Sequence, residues 1–286
     1  MSENTLAEQD ALIGALTFYL ESGVSDFCMA EASDMSAWEK APLNILKPVA
    51  PPMPAPSALP QAEFHADIDD DAPAPLGKAE VIAEVTALLE KIDNIDALRD
   101  ALTKFDGLSI KKTASNLVFS EGHKDAPLMI ISEFPQADED ISGTPFAGVN
   151  RKLVDYALSG IARDIKSDDA SKAVYTTSLL NWRPPGSRSP QDVELEVSRL
   201  ILDKHIALVK PKAIFMLGNI VCKKVLGCKT NINKLRGNWQ SYKPECAPEL
   251  SIPVMPSYHP SALLGAPKNK RLFWSDLLQI KAKLAE

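Results

Sequence analysis

Residues 174–190 read VYTTSLLNWRPPGSRSP and change character halfway. The first half is apolar and β-branched, the composition of a buried strand. From Trp182 the chain turns to arginine, paired proline, glycine and serine. In an open α/β sheet the ligand lies beyond the carboxyl ends of the strands, so a core strand that empties into a stiff basic loop points there.

The same alternation runs outward from this stretch. APLMIIS (126–132), KAIFMLG (212–218) and IPVMPSY (252–258) read as further strands. RKLVDYALSGIARD (151–164), DVELEVSRLILDKHIALV (192–209), NIVCKKVLG (219–227) and KNKRLFWSDLLQIKAKL (268–284) read as helices. Repeated βα units with apolar strands predict an α/β fold, a mostly parallel central sheet flanked by helices.

Upstream, residues 1–40 hold a helical segment, with Leu12, Leu16, Phe18 and Leu20 on a short amphipathic pattern. Residues 41–78 are rich in proline, alanine and acidic side chains, the composition of an extended linker. The α/β domain is expected over 79–286, opening with the helical pattern AEVIAEVTALLEKIDNIDALRDALTKF (79–105).

The chain has 286 residues, 45% hydrophobic and 24% charged, enough to bury a sizeable core. Cys28, Cys222, Cys228 and Cys246 form no CxxC pair and follow no signal peptide, which predicts a reducing, cytoplasmic setting. No apolar run approaches the ~20 residues of a membrane span, so no membrane role is expected. A monomer is expected. The net charge of −7 is unevenly spread: residues 179–286 carry 17 Lys and Arg against 8 Asp and Glu, the rest 14 against 30. A basic C-terminal part is compatible with a polyanionic ligand, and equally with ordinary solvated helix faces.

Three loops after strands carry chemistry. In SEFPQADEDISGTPFAG (132–148), Glu133 and its acidic followers can orient a water or stabilise a developing cation, and Phe146 can stack on a planar ring. In the opening stretch, Arg183 and Arg188 flank a rigid turn suited to phosphates. In SYHPSALLG (257–265), His259 precedes a proline at a predicted helix start where Ser261 can cap. Each loop alone has a plain structural reading. Their joint placement on one sheet edge favours an active site.

These loops, in this order, resemble the uracil-DNA glycosylase superfamily, most closely its family 4 type. That family's first motif has the form GlyGluXaaProGly, acidic residues, then GlyXaaProPheValGly, and stands here as SEFPQADEDISGTPFAG. VYTTSLLNWRPPGSRSP resembles the middle motif and HPSALLG the late one. The similarity spans about Phe105 to the C-terminus. It implies a DNA-repair enzyme that hydrolyses the N-glycosidic bond of uracil in single- or double-stranded DNA and leaves an abasic site. An enzyme acting on a base extrudes it from the duplex while holding the backbone. By this resemblance Glu133 and His259 are catalytic: Glu133 positions water or supports the sugar cation, and His259 donates to the base carbonyl. Phe146, Ser178 and Gln136 meet the base. Arg183, Arg188 and Ser261 hold DNA, with Leu263 or Leu264 filling the vacated space.

The chain departs from the family at three site positions. Ser132 and Gln136 replace motif glycines, and Ser178 replaces a base-reading asparagine whose paired donor and acceptor a hydroxyl does not reproduce. On that reading Ser178→Asn is expected to strengthen uracil turnover. Family 4 members hold an iron-sulfur cluster on four cysteines. Here one ligand position is Trp182 and the segment GLSIKKTASNLVF has no cysteine, so no cofactor is expected. The departures leave two alternatives open, a degenerate non-catalytic DNA-binding member and a glycosylase for another damaged base.

Overall fold

The computed structural model describes residues 77–286. The expected N-terminal helix and nearly all of the expected linker lie outside the described residues. The described residues open with two helices where the sequence pattern reads as one: α1 (Lys78–Glu90) and α2 (Ile95–Lys104). Asn94 makes the break, its side chain accepting the Ala97 N–H at 2.8 Å and starting a new helix. The chain then runs β1 (Ser120–Gly122), β2 (Leu128–Ser132), α3 (Ala137–Ser142), α4 (Gly148–Ser159), β3 (Val174–Ser178) and α5 (Asp192–Val209). It continues through β4 (Ala213–Leu217), α6 (Asn219–Val225), α7 (Ile232–Leu235), β5 (Gln240–Tyr242), β6 (Ile252–Ser257), α8 (Pro260–Leu264) and α9 (Pro267–Leu284).

The strands form one sheet in the order β1-β3-β2-β4-β6-β5. β3, β2, β4 and β6 are parallel, and the short polar strands β1 and β5 close the two edges antiparallel. From β2 the chain crosses first to β3 on one side and then to β4 on the other. That reversal is a topological switch point, the place at which open α/β sheets generally hold their ligands, beyond the carboxyl end of β2.

β2, β3 and β4 are buried throughout, and β6 at all but Pro253, because helices cover them. β3 includes two threonines in this dry setting. Thr177 Oγ1 donates to the Phe119 carbonyl at 2.7 Å and Thr176 Oγ1 to Glu121 at 3.1 Å, so the edge segment satisfies hydroxyls that burial otherwise penalises. Tyr175 pairs with His205 of α5 at 2.7 Å, and burial pushes that imidazole down to about 3. The histidine is neutral and structural.

Val81, Val85 and Leu89 recur every fourth residue of α1 and are buried against the core, with α1 packed on α5. Burying each such side chain stabilises by about 1.5–3 kcal/mol. α1 therefore belongs to the core of the α/β domain.

Candidate active site

Four post-strand segments meet at the carboxyl edge. β2 and β3 end level with each other, Ser132 opposite Ser178, and their hydroxyls stand 2.8 Å apart. Two of the expected departures thus touch. On the other side of β2, β4 and β6 pair Leu217 with Ser257, which delivers Gly218 and His259 to the same edge.

The acidic loop after β2 is organised by backbone N–H groups. Glu139, 1% exposed, accepts from the Gln136 amide at 2.6 Å and from the Phe146 amide at 2.7 Å, one with each carboxylate oxygen. This clasp holds Phe146 at φ 55°, a left-handed conformation that costs a non-glycine residue strain. Desolvation pushes the Glu139 carboxyl above its usual range despite those bonds. Asp140 accepts from Ser115 N at 2.9 Å and ties the loop to the segment after α2. Gln136 takes an ordinary extended conformation, φ −88°, and so the loss of the motif glycine creates no strain there. Its side-chain nitrogen reaches the Phe134 carbonyl at 3.5 Å.

Glu133, half-buried, turns toward the segment after β4. Its Oε1 accepts the Ile220 N–H at 2.6 Å, at the start of α6. Burial raises its carboxyl, and the Ile220 and Asn219 amides pull the other way. Gly218 makes this approach possible. Its φ is 123°, and a Cβ placed there would lie 2.4 Å from the Glu133 carboxylate carbon.

At the end of β6, His259 is itself the helix cap that the sequence suggests for Ser261. Nδ1 accepts the Ser261 N–H at 3.3 Å and lies 2.8 Å from the Ser261 hydroxyl. With Nδ1 an acceptor, the neutral ring carries its proton on Nε2. The imidazole is 9% exposed and burial pushes it down to about 4. Its ring centre lies 6.3 Å from that of Phe146, with 27° between the planes. From behind, Ser257 Oγ donates to Asp276 Oδ2 at 2.6 Å, and Arg236 pairs with the same buried carboxylate. Asp276 sits on α9 and Arg236 just after α7, so two helices fix the turn that carries the histidine.

The two leucines part company. Leu263 is fully buried and Leu264 is 48% exposed. Leu263 therefore packs in the core in this structure, and Leu264 stands at the surface. Arg188 donates two bonds to Glu194 at 2.9 and 2.6 Å, and Glu194 also accepts the Gln191 N–H. That guanidinium pins the turn to α5 while remaining 34% exposed. Arg183 is part-buried, directly after Trp182, which is 2% exposed.

Reading the sequence missed several contributors. The spacing Gln136-x-x-Glu139 is a capping-box pattern and could have flagged the Glu139 clasp. Gly218, between a strand and a helix, carried a weaker hint. Nothing in the sequence pairs Asp276 with Ser257. Asn150, on the α4 stripe shared with buried Leu153, Val154 and Ala157, keeps its side-chain carbonyl buried and unpartnered.

A model of the uracil DNA glycosylase superfamily matches residues 119–278, from just before β1 into α9. The chain is 31% identical over 201 residues to the type-4 uracil-DNA glycosylase of Saccharolobus solfataricus, covering 68% of this chain and 88% of that protein. It is 29% identical over 196 residues to the type-4 uracil-DNA glycosylase of Archaeoglobus fulgidus, covering 67% and 92%. The corresponding protein of Sulfurisphaera tokodaii is 27% identical over 197 residues, 66% and 84% covered.

Proposed function

Because this chain belongs to the uracil-DNA glycosylase superfamily, we propose that it is a DNA-repair hydrolase that breaks the bond between uracil and deoxyribose. The observation that carries this reading is the state of His259: buried, neutral, with Nδ1 engaged and Nε2–H left to donate, beside the Phe146 ring. As the bond from C1′ to the base nitrogen breaks, its electron pair passes to uracil and charge collects on a carbonyl oxygen. A preorganised neutral donor stabilises that charge, and an already buried site adds no reorganisation cost.

Phe146 supplies an apolar face for the extruded base, and the Glu139 clasp keeps it in a strained position it would otherwise leave. Glu133, anchored to α6 by one oxygen, supports positive charge on the sugar with the other and orients the water that adds to C1′. Phe146 and Ser178 are 1% and 2% exposed, so the wall opens when a base enters. Leu264, 48% exposed five residues after His259, would fill the space the base leaves. The strain at Phe146 favours a catalytic member over one that only binds DNA. Purified protein incubated with end-labelled uracil oligonucleotide should yield an alkali-labile abasic site. A folded protein that leaves the oligonucleotide intact would refute the activity.

The residues present do not fit the family's iron-sulfur cluster. Four converging thiolates are required. Among the described residues, Cys222 is buried with its thiol pushed up by desolvation, Cys246 is exposed on the connection after β5, and Cys228 lies in the loop after α6. No three His, Cys, Asp or Glu side chains among the described residues stand close enough to share a metal ion. Trp182 packs into the core where the motif has a ligand. Anaerobically purified protein is expected to be colourless; stoichiometric iron and sulfide would overturn this.

Residues 1–76 precede every segment of the site. A chain starting at Gly77 keeps α1 and its contacts, so it should fold cooperatively and release uracil at the full-length rate on oligonucleotides. A folded but inactive truncation would place the N-terminal segment in the enzyme.

A further inference from the structure

Ser132 and Ser178 end adjacent parallel strands in register, 0% and 2% exposed, with their hydroxyls 2.8 Å apart. Two hydroxyls own two protons, and the bond between them uses one. One O–H and lone pairs on both oxygens remain, and no other described group bonds to either side chain. The pair stands at the switch point, on the same edge as Phe146 and His259.

The family motifs have glycine and asparagine at these two positions. A serine facing a serine carries as many side-chain non-hydrogen atoms as an asparagine facing a glycine, and likewise presents a donor beside an acceptor. The difference is rigidity. An amide fixes its oxygen and nitrogen on one carbon, whereas two hydroxyls exchange roles by rotating about their C–O bonds. The two departures therefore compensate each other in volume and polarity, which neither does alone.

Building on the glycosylase reading above, we propose that Ser132 and Ser178 together form a split base-reading group. It binds a carbonyl beside a ring N–H, the edge of uracil and of other deaminated bases, and its exchangeable roles weaken the rejection of cytosine. The contact reverses the expectation for Ser178→Asn: the longer amide is driven into Ser132 Oγ unless that side chain is removed as well.

Excision is measured on duplexes carrying uracil or cytosine at one position, and binding on the same duplexes with hydrolysis-resistant 2′-fluoro nucleotides there. Ser178→Asn alone should lower uracil excision about 10-fold. Ser132→Gly with Ser178→Asn should recover it and raise the uracil-to-cytosine ratio about 10- to 100-fold above the starting protein, the discrimination of a well-formed paired contact. Thermal melts check that each variant folds. If Ser132→Ala and Ser178→Ala, singly and together, leave the binding ratio unchanged, the hydroxyls only close the sheet and the proposal fails. It also fails if the double variant is no better than Ser178→Asn. A binding ratio that responds to the serines in a protein that excises nothing would keep the reading group and reject the glycosylase activity.

Discussion

His259→Ala is expected to lower single-turnover uracil release about 10²- to 10³-fold, the usual loss for one preorganised donor in a site that excludes water. The fold should survive, because the side chain caps only the five-residue α8 and the β6 end is held independently through Ser257, Asp276 and Arg236. The size of the loss should be the same at pH 6 and pH 8. Burial holds the imidazole down to about 4, so its neutral form dominates at both values and no change of charge intervenes. A loss that grows toward pH 6 would mean that the protonated ring acts. An unchanged rate would remove His259 from the mechanism.

Gly218→Ala should be the most damaging change at a residue that need not touch substrate. Its backbone lies at φ 123°, where an added Cβ is strained by about 1–3 kcal/mol. That Cβ would also stand 2.4 Å from the Glu133 side chain. Glu133 must then leave the Ile220 N–H, and the turn from β4 into α6 loses its tie to β2. Urea unfolding should show a stability loss of about 2–3 kcal/mol, accompanied by a fall in uracil release of at least about 10-fold. Adding Glu133→Ala should return part of the stability, since the clash goes while the backbone strain stays, and none of the activity. A Gly218→Ala protein as stable as its parent would contradict the close approach.

How far the sequence could be read follows from the range of the forces involved. The parallel strands and the helices between them repeat short patterns set by local burial, and DVELEVSRLILDKHIALV spans α5 end to end. The edge strands β1 and β5 have three residues each and polar compositions, SEG and QSY; their pairing partners decide them, and those lie far along the chain. The break at Asn94 was obscured because apolar residues continue on both sides of it.

The site divides the same way. Residue types and their order along the chain were enough to bring Glu133, Phe146, Ser178 and His259 to one edge, because successive parallel strands must end together. What each side chain does there depended on neighbours distant in sequence. The pairing of Arg188 with Glu194 at 2.6 Å is invisible in residue types, and adjacent Leu263 and Leu264 differ only in which way a short helix turns them. Ser132 and Ser178 looked like two separate losses. A hydroxyl–hydroxyl contact across 46 positions arises only when strand register sets both residues side by side, and only that contact makes them one group. The four parallel strands, the order of their loops and the residues offered at the carboxyl edge are legible in residue types alone; which of those groups are spent on the protein and which remain for a ligand is settled by packing, because hydrogen bonds and burial are properties of pairs and residue identity is not.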